Sequence, residues 1–115
     1  MEYAGLHRKM EEKIADCRER YERDRADSLL SHVRSSELEA LEALYGRIRE
    51  EGLSEELWTY LRSRLAELEE AKKREEAIPS FSWYGDHYHY LVLEGQCDAY
   101  RGVMELLREE KPYKG

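Results

Sequence analysis

At 115 residues the chain has the size of one domain, spanning 1–115, and a 39% share of charged residues with a net charge of −7 gives it an acidic, solvated surface. That balance weighs against coating nucleic acid, which needs clustered cations to neutralise phosphates. Leu, Ile, Val and Phe form under a fifth of the chain, so a monomer has a thin core; nine Tyr and two Trp argue against disorder, and self-association as a dimer or larger homo-oligomer would bury more.

The first helix is expected from about Glu2 to Val33. Tyr3, Leu6, Met10, Ile14, Cys17 and Tyr21 recur at steps of three and four, which places them on one apolar stripe. Asp27-Ser28 is a place where this long helix could break. Ser36 with Glu39 forms an S-x-x-E capping box, predicting that a second helix starts near Glu37 and runs to Glu51. Gly52 then suits a helix C-terminus, and Ser54 before Glu55-Glu56 suits the next N-terminus. The third helix carries Leu57, Trp58, Leu61, Leu65 and Leu68 and ends near Ala77, because Pro79 disfavours helical geometry at Ile78. The tight turn predicts that helices two and three form an antiparallel helical hairpin.

The stretch from Pro79 to Glu94 has two readings. Alternating Phe81, Trp83, Tyr88, Tyr90 and Val92 around Gly85-Asp86 would make a small β-hairpin over 80–93. A C-terminal helix capped by Asp86 accounts for more of the pattern, since Tyr88, Leu91, Val92, Gly95, Ala99, Val103 and Leu106 then form one stripe reaching toward Pro112. The expected fold is therefore all-α: about four helices with coiled-coil-like self-association.

Chemistry is sparse outside FSWYGDHYHY, residues 81–90. His87 and His89 would share one face of a strand but not of a helix, and no third ligand is placed, so neither a metal nor another cofactor is expected. Cys17 and Cys97 match no CxxC pattern and read as reduced thiols. No apolar run approaches the roughly 18 residues of a membrane span, and MEYAGLHRK lacks a signal-peptide core, so a cytoplasmic protein is expected. Glu39/Glu42 and Glu67/Glu70 fit the ExxE pairs with which all-α nucleotide pyrophosphohydrolases hold Mg²⁺, but the ExxD partner is missing. There is no GxSxG, P-loop or GxGxxG. An enzyme is not expected.

The aromatics favour recognition instead. Trp83, Tyr84 and Tyr88 offer stacking faces, His87 lies among them, and Arg101 and Arg108 stand one heptad apart, able to line one groove. These six residues are the predicted binding set, for a nucleotide-like molecule whose phosphates would pair with arginine, or for a host protein. The pattern YHYLVLEGQCDAYRGVMELL, residues 88–107, resembles helical segments of small phage and prophage accessory proteins. The resemblance implies an anti-defence role as an inhibitor or sponge of nucleotide signals. A protein–protein inhibitor or adaptor acting through the acidic helices is the alternative, and the Mg²⁺-dependent hydrolase a second.

Overall fold

The computed structural model describes residues 4–77 and 88–110, and within them four helices and no strand: α1 (Ala4–Arg23), α2 (Ser28–Glu51), α3 (Glu55–Glu76) and α4 (Tyr88–Leu107). The all-α expectation holds. Residues 88–93 are helical, which overturns that half of the hairpin reading; its other half, 80–87, lies outside the described residues.

The long first helix is corrected. It stops at Arg23, and α2 starts at Ser28 rather than near Glu37. Asp27 causes the restart: its backbone is extended, and its carboxylate accepts the Leu29 and Leu30 N–H groups, both at 2.9 Å. Such a cap typically contributes about 1 kcal/mol by satisfying donors that the first turn leaves open. Ser36 caps nothing. It lies mid-helix and buried, and its hydroxyl donates to the Val92 carbonyl of α4 at 2.5 Å. The junction between α2 and α3 follows the expectation, whereas α4 ends at Leu107, short of Pro112, and the expected Asp86 cap lies outside the described residues. Gly52 has φ 71° and ψ −169°, a region essentially restricted to glycine, and its N–H donates to the Ile48 carbonyl. The Ser54 hydroxyl accepts the Leu57 N–H at 3.0 Å.

The helices run up and down in turn, with α4 at the centre. His32 beside Tyr88 and Ser36 beside Val92 set α4 parallel to α2. Tyr90 on Glu76 and Arg101 on Glu69 set it antiparallel to α3. Helix α1 returns along α2, held by Arg18 on Glu42 and by the Tyr45 hydroxyl donating to Glu11. Accordingly α4 is buried nearly all round, at Tyr90, Leu91, Leu93, Gly95, Cys97, Ala99, Tyr100, Val103, Met104 and Leu107. Helices α2 and α3 are antiparallel, yet among the described residues their backbones do not come close, because α4 lies between them; Arg47 of α2 still reaches the Tyr60 ring of α3. The core joins Leu6, Met10, Ile14 and Cys17 of α1 to Leu41, Leu44 and Ile48, to Leu57, Leu61 and Leu68, and to α4. Among the described residues, no helix is long and apolar enough to cross a membrane.

This core makes the fold sensitive to alkali. Burial, with Glu37 adding, pushes the Cys17 thiol from its ordinary 9.0 up to about 11. Burial first, then Tyr60, pushes the Tyr100 hydroxyl up to about 12, with Arg64 pulling the other way. Tyr90 and Cys97 shift upward too, again chiefly through burial. Each group ionises more readily in the unfolded chain. Its contribution is therefore complete below the unfolded value and is lost as pH rises through the folded one. Urea midpoints are expected to hold steady to about pH 8.5 and to fall from about pH 9 to 12. A level alkaline profile would contradict the burial of these groups.

Candidate functional site

Because α4 keeps α2 and α3 apart, a cleft of about 400 Å³ opens between them with α4 as its floor. The floor is built at four-residue steps by Tyr88, Val92, Gln96 and Tyr100, one face of a helix. One wall is α2, with His32, Ser35, Glu39, Ala40 and Ala43; the other is α3, with Arg64 and Leu68. Ala40 and Ala43 leave the space that larger side chains would fill.

The cleft has two unlike ends. At the first, the rings of His32 and Tyr88 meet edge to face, 4.9 Å between centroids, with Tyr88 60% exposed. At the second, Tyr60 and Arg64 lie beside the buried Tyr100 hydroxyl, and the Arg47 guanidinium stacks 3.7 Å above the Tyr60 ring. The raised Tyr100 value leaves its hydroxyl protonated at neutral pH, able to donate. Arg64 also pairs with Glu67 at 3.0 Å on its own helix, which aims the guanidinium without burying it. From Tyr88 to Tyr100 the floor extends about 18 Å.

The predicted binding set divides. Tyr88 stands at the mouth of this cleft. Arg101 and Arg108 do line one groove, as their spacing suggests, together with Leu65, Met104 and Glu105, but it is a different one. Thirteen residues turn Arg101 about 220° away from Tyr88 and set it about 20 Å further along α4. Arg101 is also engaged by Glu69 and Asp98, at 3.7 and 3.6 Å. Trp83, Tyr84 and His87 lie outside the described residues.

The ExxE pairs separate as well. Glu39 lines the cleft, Glu42 is taken by Arg18 at 2.8 Å, Glu67 by Arg64, and Glu70 faces a shallow groove on α3. Among the described residues no three His, Cys, Asp or Glu side chains converge as a metal site would require. His89 instead lies 3.6 Å from Glu75.

His32, Arg64, Gln96 and Tyr100 escaped the sequence reading, which weighed Glu39 only as a capping partner and a metal ligand. Their one legible signal was the four-residue polar-aromatic step Tyr88, Gln96, Tyr100 along α4. Compared with known proteins, the chain matches no family model, no curated protein and no solved structure.

Proposed function

We propose that this protein is a non-catalytic binding protein that sequesters a small nucleotide-like anion in the cleft between α2, α3 and α4. One observation carries the reading: a single cleft presents paired aromatic rings at one end and a guanidinium with a tyrosine hydroxyl at the other. A ring-bearing phosphate has the same two-ended chemistry, stacking at one end and accepting charge-assisted hydrogen bonds at the other. The volume falls within the roughly 300–1,000 Å³ of typical small-ligand sites. Sequestration of a nucleotide signal in the cytoplasm would serve the anti-defence role implied by the α4 resemblance. Leu29 and Leu30, 38% and 40% exposed on the first turn of α2, support a homo-oligomer that covers them.

Thermal denaturation with mono-, di-, tri- and cyclic nucleotides tests the reading. A ligand at 100 times its Kd stabilises the folded state by about 2.7 kcal/mol. Tyr88→Ala and Arg64→Ala should lose that gain, while Arg101→Ala and Arg108→Ala keep it. No stabilisation of the natural chain by any nucleotide would overturn the proposal. Pyrophosphate release from a nucleoside triphosphate in Mg²⁺ would replace it with the pyrophosphohydrolase. Native mass spectrometry of the same samples reads the ligand and the oligomer together.

A further inference from the structure

Between the two ends of the cleft stands the carboxylate of Glu39. Glu39 makes no ion pair with any described residue, whereas Glu37 and Glu42 on the same helix are both held by arginines. It projects from α2 seven residues beyond His32, about 10 Å along the helix axis and a little past midway along the floor. Gln96 of α4 lines the cleft at the same level. A carboxylate is an acceptor only, with two oxygens to satisfy, so the group it suits carries paired O–H donors. Water meets that need at no gain in specificity. The vicinal diol of a ribose meets it with both hydroxyls at once, which is the general means by which a carboxylate distinguishes a ribonucleotide.

Charge fixes the other end. Among the described residues Arg64 is the guanidinium that lines this cleft, and Arg47 lies close by on the Tyr60 ring. Resting on the cleft reading above, we propose that the ligand is a ribonucleotide. Its base lies against Tyr88 and His32, its 2′,3′-diol donates to Glu39, and its phosphate groups extend along the floor toward Arg64 and the Tyr100 hydroxyl.

Calorimetric titration of the full chain separates the two levels of this claim. The probes are the four ribonucleoside 5′-monophosphates, their 2′-deoxy counterparts and the matching triphosphates. The expected result is that at least one ribonucleotide binds about tenfold or more tightly than its deoxy form, as befits the loss of a hydrogen bond to a charged group. Glu39→Gln should bring the ribo and deoxy forms to equal affinity with helical content unchanged, because Glu39 is exposed and holds no contact in the core. Equal binding of ribo and deoxy forms to the natural chain would overturn the diol assignment while leaving the cleft as the site. No binding by any of these probes would overturn both.

Discussion

Gly95→Ala is expected to destabilise the fold by about 2–3 kcal/mol, although alanine is the better helix former by up to about 1 kcal/mol. A Cβ at this position would run into the Val33 carbonyl oxygen and come within 2.8 Å of Ser36 Cβ and 2.9 Å of the Glu37 nitrogen. Two of these three atoms are α2 backbone, so no rotamer change can relieve the contact; α2 and α4 would have to separate. Separation would also stretch the Ser36 hydroxyl away from the Val92 carbonyl, leaving a buried hydroxyl unmatched. Gly102→Ala is the control. There a Cβ would meet only the end of the Lys13 side chain, with Nζ at 2.8 Å, and a flexible side chain moves aside. That variant should be neutral or more stable by up to about 1 kcal/mol. Urea denaturation followed by circular dichroism measures both. Equal stability of the two variants would show that α2 and α4 do not approach as closely as Gly95 and Ser36 indicate.

Periodicity made most of this fold legible. The stripe Leu6, Met10, Ile14 and Cys17 is buried in full, and Gly52 and Ser54 end and start the helices that they were expected to. The first helix misled for a physical reason. An aspartate N-cap followed by Ser-Leu-Leu and a serine capping box nine residues later are equally plausible restarts by local chemistry. What selects Asp27 is tertiary: Ser36 is needed mid-helix, where its small side chain admits α4 and its hydroxyl reaches Val92. The site was harder still. Its residues come from three helices, and one of its walls exists only because α4 intervenes between α2 and α3. Spacing within a helix cannot reveal that. Arg101 and Arg108 show the converse, a correct local inference about a shared groove that carries them away from Tyr88.

Glu37→Ala is expected to lose about 3 kcal/mol or more, the range for breaking a buried ion pair from one side. Glu37 is 5% exposed and lies between two arginines, 3.4 Å from Arg34 and 3.7 Å from Arg20, where α1 folds back onto α2. Removing it leaves both guanidinium groups partly desolvated. Asp24 and Asp16 remain beside them and soften the loss. Glu42→Ala, one helix face away, removes a shorter pair, 2.8 Å from Arg18, but those side chains are 50% and 57% exposed. Water takes over from Glu42 at once, so its loss should cost under about 1 kcal/mol. Ranked by distance, Glu42 would matter more; ranked by the solvent each charge has given up, Glu37 does. Urea melts of the two single variants decide between these rankings. If Glu42→Ala proved as costly as Glu37→Ala, the burial of the Arg20–Glu37–Arg34 cluster could not be what fastens α1 to α2. The hold would then rest on the apolar stripe from Leu6 to Cys17.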